Sequence, residues 1–236
     1  MGYQACDRGF FTCDFLVLAL CLCVFVVNVF AQQLMKMNQL KQAHLDHPIH
    51  ENLAARWSPL ALADREVSDA DVLSLFEAAR WSASSRNEQP WSYIVAKRSN
   101  AAEFAKVLSC LEEANQVWAR HASLLAIACY ATTHARNGQP NAAAAHDLGA
   151  ASASLTFEAT SRGLLVHQMI GIFPDRAREL FHVPAGVQPL TAIAIGYEGD
   201  PNALPEHQRG RDLAPRTRKP LKDFVFCDQW GESATL

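Results

Sequence analysis

Arg56, Ser58, Asn87, Arg216 and Arg218 are the residues of this chain whose types and spacing suit a polar, anionic small molecule. In Arg56-Trp57-Ser58-Pro59 a guanidinium and a hydroxyl stand two residues apart, so both can reach the oxygens of one phosphate. In Arg216-Thr217-Arg218-Lys219-Pro220-Leu221 two arginines alternate along an extended segment, project to the same side and suit bidentate phosphate binding. Between these lies the polar loop Ser84-Ser85-Arg86-Asn87-Glu88-Gln89-Pro90-Trp91. Asn87 and Gln89 each carry a donor and an acceptor, which fits the edge of a flat heterocycle. Pro90 locks its own φ and is expected to hold Gln89 extended, so the loop is shaped before any ligand arrives. A plain helix–strand turn capped by Asn87 reads the same way. Arg-x-Ser beside a helix end, or a charge run on a solvated face, are the corresponding bland readings of the arginine segments.

His167-Gln168-Met169-Ile170-Gly171-Ile172-Phe173 supplies a strand end at which Gly171 permits a close approach to the backbone. His167, isolated there, is expected to be structural. The sequence contains no Ser/His/Asp set, no Gly-rich phosphate loop and no Cys/His ligand spacing, so no catalytic side chain and no metal are assigned. The seven cysteines form no Cys-x-x-Cys pair and read as reduced thiols packing like small hydrophobes. With 50% apolar residues and a formal net charge of −3, the chain has material for a core and lacks the basic face of a nucleic-acid binder.

These residues need elements to place them. Ser68-Asp69-Ala70-Asp71 has the form of a capping box and opens a helix to Arg80, with Val72, Leu75, Phe76 and Ala79 on one face. Residues 93–96 read as a strand, and 101–120 as one helix with Phe104, Leu108 and Leu111 inward. The apolar run 124–130 reads as a buried strand. Residues 142–161 read as a long helix rich in small residues, able to let another backbone approach or simply a good helix former in a crowded core, with Gly163 as a left-handed cap. Strand-like 164–168, a short helix 174–181 opened by Pro174, and strand-like 190–197 follow. A helical piece or two, broken at Pro48, is expected over 38–55. Mixed helices and strands without regular βαβ alternation indicate an α+β domain.

Residues 15–27 are almost continuously apolar, short for a membrane span of roughly 20 residues. Val29-Phe30-Ala31 offers the small residue of a signal cleavage site, but Asp7 and Asp14 offset Arg8, so positive charge is lacking upstream. The first reading is a start of translation at Met35 or Met37; the second is a signal or anchor. The domains expected are therefore an apolar leader, 1–34, and one domain, 35–236. The location expected is the cytoplasm, unless the leader directs export or membrane anchoring.

Taken in order, the four segments resemble the motifs of the FMN-dependent nitroreductase family. The loop resembles its Ser-Ser-x-Asn-x-Gln-Pro-Trp signature, and Arg56-Trp57-Ser58-Pro59 its N-terminal Arg-x-Ser motif in an Arg-Trp-Ser-Pro variant. His167 to Phe173 resembles the strand end beside the flavin, and Arg216 to Leu221 the C-terminal Arg-x-Arg-x-Pro-Leu element. Two departures stand out: Leu60 replaces a cation near the ring, and Ile170 replaces the first of two glycines. The resemblance implies an α+β nitroreductase-like fold, a central, mostly antiparallel sheet flanked by helices, and a homodimer with two FMN groups at the interface. It implies that Arg56, Ser58, Arg216 and Arg218 hold the phosphate, with Trp57 among them, and that Asn87 reads the ring edge. Gln168, Met169, Ile170 and Gly171 would then line its other side. NAD(P)H would reduce the flavin, and a small electron-poor acceptor such as a nitroaromatic or quinone would reoxidise it in the same place. The departures leave a non-catalytic flavin-binding or sequestering protein as the alternative.

Overall fold

In the computed structural model, which describes residues 41–233, four strands form one sheet. They are β1 (Trp91–Lys97), β2 (Leu124–Ala131), β3 (Leu165–Met169) and β4 (Val187–Gly196), in the order β1-β2-β4-β3. All three pairings are antiparallel, with Ile94 opposite Ile127, Ala126 opposite Ile193, and Gln168 also opposite Ile193. The register shifts between Ala128 and Cys129, where β4 carries Pro189, a residue that cannot donate to a ladder.

Side chains of β2 alternate between two cores. Leu125, Ile127 and Cys129 join one cluster, while Leu124, Ala126 and Ala128 join the other. Both faces are covered, which is why the run reads as continuously apolar instead of alternating. Around the sheet lie α1 (Glu51–Ala55), α2 (Asp69–Arg80), α3 (Ala101–Ser109), α4 (Glu113–Ala119), α5 (Ala144–Ser161), α6 (Pro174–Leu180) and α7 (Glu206–Leu213). Leu75 and Ala79 of α2 and Leu148, Ala151, Leu155 and Ala159 of α5 pack on one face. Phe104 and Val107 of α3, Trp118 of α4 and Ala177 of α6 pack on the other. This is an α+β fold.

Local chemistry sets the boundaries. Ser68 Oγ accepts the Asp71 N–H and starts α2 as the capping box predicts. At the far end of α5 the Gly163 N–H donates to Thr160 O at 3.0 Å and the Leu164 N–H to Ala159 O at 2.8 Å. With Gly163 at φ +70°, this is a Schellman cap that turns the chain directly into β3. The helix expected over 101–120 is instead two. Leu111 leaves helical geometry to bridge Ile172, and the Glu112 N–H donates to Gly171 O, so tertiary pairing overrides local propensity. The helix expected from residue 142 begins at Ala144, because Asn141 Oδ1 takes the Ala143 N–H in a turn. Of the helical stretch expected over 38–55, residues 38–40 lie outside the described residues, and α1 is its continuous helix after Pro48.

Residues 43–214, carrying every element above, form one compact unit. A second contains Lys41 and Gln42 with residues 215–233; in it Phe226 bridges Ser233, and the Phe226 and Trp230 rings pack 5.1 Å apart. No described helix is long and apolar enough to cross a membrane. The apolar stretch 15–27 and four cysteines, Cys6, Cys13, Cys21 and Cys23, lie outside the described residues.

Candidate functional site

Arg56 sits at the C-terminal end of α1, where the chain turns extended. The next residues are fixed from inside. Trp57 is buried, and Asp212 of α7, itself 2% exposed, accepts the N–H groups of Leu60 at 2.7 Å and Ala61 at 3.2 Å. Two amide donors satisfy a carboxylate that would otherwise be costly to bury. Leu60 is thereby a core residue, 4% exposed, and its departure from the family pattern is filled by packing. Just beyond, Ala63 donates to Tyr197 O and Gly199 to Ala61 O, so the segment runs beside the end of β4. With its downstream half anchored, Arg56 Nη1 reaches Ser58 Oγ at 3.0 Å.

Arg56 and Ser58 line a cavity of about 280 Å³ together with Asn52 and Leu53 of α1, Ala153, Thr156 and Phe157 of α5, and Val166 and Gln168 of β3. Gln168 Nε2 donates to Thr156 Oγ1 at 2.9 Å and to Ser152 O at 3.2 Å, which fixes its carboxamide. Thr156 Oγ1 in turn donates to Ser152 O at 2.7 Å. Polar atoms therefore occupy one side, and Leu53, Phe157 and Val166 supply an apolar wall. The volume lies near the lower end of small-molecule clefts, roughly 300–1,000 Å³. Three residues singled out from sequence are brought together here. Asn52, Ala153, Thr156 and Phe157 were not singled out, although Ala153, Thr156 and Phe157 share one helical face by their spacing of three and four.

Asn87 lies in a loop of unusual backbone. Arg86, Asn87 and Gln89 have φ values of 54°, 58° and 48°, in the left-handed region that non-glycine residues seldom adopt. Gln89 is thus not extended, as its place before Pro90 predicts. Its N–H donates to Ser84 Oγ at 3.1 Å and its Nε2 to Asn87 Oδ1 at 3.1 Å, and these bonds outweigh the steric preference.

At the end of β3, Met169 is buried opposite Ala192, while Ile170 is 71% exposed. Gly171 stands close to protein: an added Cβ would lie 2.6 Å from Asn115 Nδ2 and 2.8 Å from Glu112 Oε2, so those side-chain ends would have to shift. Its carbonyl accepts from the Glu112 N–H and Asn115 Nδ2. His167 is packed into the fold. Its Nδ1 lies 2.8 Å from Pro59 O, its ring packs 4.5 Å from that of Trp118, and burial pulls its pKa down. Arg216 and Arg218 belong to the second unit, where Arg216 Nη1 donates to Lys41 O at 2.8 Å and Arg218 Nη1 to Thr217 O at 2.6 Å. Burial, then the Arg218 charge, lower the Arg216 pKa. Cys110 and Cys129 are buried free thiols; burial pushes the Cys129 pKa up to about 11.

Residues 53–197 match the Nitroreductase family, well over half of the chain. The chain belongs to the nitroreductase family. A crystal structure of an oxidoreductase containing FMN is similar, with 30% identity and a TM-score of 0.75 over 80% of this chain and 96% of that one. A nitroreductase family protein of Clostridium difficile shares the fold, with a TM-score of 0.61 at 23% identity over 78% of this chain and 99% of that one. A protein of Archaeoglobus fulgidus, provisionally named NADH dehydrogenase/NAD(P)H nitroreductase, is 26% identical over 61% of this chain and 82% of its own. An uncharacterised 15.4 kDa protein of Mycolicibacterium smegmatis is 44% identical over 37% of this chain; that match spans 59% of the relative's length.

Proposed function

We propose that the protein is an FMN-dependent oxidoreductase that passes reducing equivalents from NAD(P)H to a small electron-poor acceptor such as a nitroaromatic or a quinone. The observation that carries this reading is the cavity between α1, α5 and β3, in which Arg56, Ser58, Thr156 and Gln168 converge in a nitroreductase-family chain. Its donor set fits FMN: a guanidinium and a hydroxyl for a dianionic phosphate, a carboxamide and a hydroxyl for polar groups, and an apolar wall for a flat ring. Arg56 and Ser58 would hold phosphate, with Arg216 and Arg218 as further cations; Asn87 would read the ring edge, with Trp57 and Gln168 through Gly171 nearby. When bound, FMN supplies the two-electron chemistry, so the chain's own work is to bind, orient and exclude water. The FMN in the 30%-identical structure and the name of the Archaeoglobus relative support the choice of cofactor and reductant. We place the protein in a homodimer, with a second copy enlarging a cavity at the small end of the ligand range.

Leu60 supports a second reading, a flavin-binding protein that does not turn over, because the position that carries a cation in relatives is here a core side chain. FMN titration tests the common part. Arg56→Ala is expected to weaken FMN binding by about 1.5–3 kcal/mol, the worth of a charge-assisted hydrogen bond, with little change in melting temperature. Arg218→Ala is expected to act in the same direction. Unchanged affinity in Arg56→Ala would remove that residue from the site.

A further inference from the structure

Glu88 is the one carboxylate in the polar loop 84–91, and its side chain is 8% exposed. Its Oε2 accepts the Ala135 N–H at 3.1 Å. Its Oε1 lies 3.3 Å from both Arg136 Nε and His134 Nδ1, the latter at ion-pair distance without hydrogen-bond alignment. Three residues earlier in the loop, the Ser85 N–H donates at 3.0 Å to Oδ2 of Asp147 in α5, which is 2% exposed and whose Oδ1 lies 3.2 Å from His146 Nδ1. One short loop is thus tied at two points through carboxylates: Asp147 in the first turn of α5 takes the Ser85 N–H, and the loop's own Glu88 reaches residues 134–136. Between the two grips stand Arg86 and Asn87, and Gln89 follows directly; all three are left-handed. Such a cluster of unfavourable backbone persists only where its surroundings over-determine it. A helix–strand connection that served only as a turn would have no need of this.

We propose that Glu88 and Asp147 are positioning residues: they hold the strained backbone on which Asn87 presents its side chain to a flavin edge, and through Glu88 they bring Arg136 and His134 into the support of the site. This rests on the flavin reading above. The loop's own bonds, Gln89 to Ser84 and to Asn87, set its internal shape, whereas the carboxylates fix it against the rest of the unit. Glu88 is suited to this because a carboxylate can accept from an amide with one oxygen while the other faces the Arg136 guanidinium and the His134 ring.

The test is a double-mutant cycle on the full-length protein, reading the FMN dissociation constant by flavin fluorescence and the visible spectrum of the bound flavin. Asn87→Ala and Glu88→Ala are each expected to weaken FMN about tenfold and to shift the flavin absorption in the same direction. The double variant is expected to be no weaker than Asn87→Ala alone, since Glu88 acts through Asn87. Glu88→Gln, which keeps an oxygen for the Ala135 N–H, should recover most of the affinity, and Asp147→Ala should reproduce the spectral shift. Arg136, half-exposed, can be truncated without threatening the fold; Arg136→Ala should weaken FMN about two- to threefold. Losses that multiply in the double variant, or wild-type affinity and spectrum in both Glu88→Ala and Arg136→Ala while Asn87→Ala is impaired, would overturn the proposal. Wild-type protein that binds no FMN would instead overturn the flavin reading beneath it.

Discussion

At the residue scale, Asp212 governs where Arg56 and Ser58 sit, although it is 152 residues from the amide it binds. Asp212→Ala would leave the Leu60 and Ala61 N–H groups buried without partners, at about 1–3 kcal/mol each. We expect a clear fall in melting temperature and, because the Arg56 segment is released, weaker FMN binding; a variant unchanged in both would contradict this role. Cys129 gives a pH signature. Its thiol is held up to about 11 by burial, against an ordinary value of 9.0. Folded and unfolded chains both keep this proton below pH 9; above it the unfolded thiol ionises first, so its contribution to stability is lost as pH rises through 9 to about 11. Tyr93, raised by burial above 10.0, acts in the same direction. Urea unfolding should show stability falling over that window, and the fall should shrink in Cys129→Ala.

At the element scale, the cavity exists because α5 ends in a cap that folds the chain straight back into β3, setting Thr156 and Gln168 in contact. The cap was legible in Gly163 and the buried sheet in the apolar run of β2, since both depend on local pattern. The break between α3 and α4 was not, because it is caused by Gly171 and Ile172, some sixty residues away in sequence. The left-handed Gln89 was hidden for a related reason: a steric rule for residues before proline yielded to two side-chain hydrogen bonds. Gly199 offers a test of how the Arg56 segment is held beside β4. A Cβ there would lie 2.5 Å from the Leu62 carbonyl carbon, a backbone atom that cannot swing aside. Gly199→Ala should cost about 1–3 kcal/mol by overpacking, read as a lower unfolding midpoint. Wild-type stability would show that this pairing is easily displaced.

At the scale of the whole molecule, the chain is a nitroreductase-family α+β protein whose candidate site draws on residues far apart in sequence. Arg56 and Ser58 could be picked out as donors for an anionic cofactor, and Gln168 through the family resemblance; the three line one cavity. Phe157, Leu53 and Ala153 could not, because apolar residues on a helix face carry no mark separating a cavity wall from ordinary core. Leu60 was legible only as a departure; its meaning came from Asp212, which fixes its backbone and turns its side chain into the core. The central claim is that this cavity serves a flavin that nicotinamide reduces. The most direct measurement is the visible spectrum of FMN-loaded protein on anaerobic addition of NADH or NADPH. The account predicts that FMN stays with the protein through gel filtration and that its visible bands bleach with at least one nicotinamide. Retained FMN that bleaches with neither would contradict the reductase and favour the sequestering reading, and protein that retains no FMN would contradict the site itself.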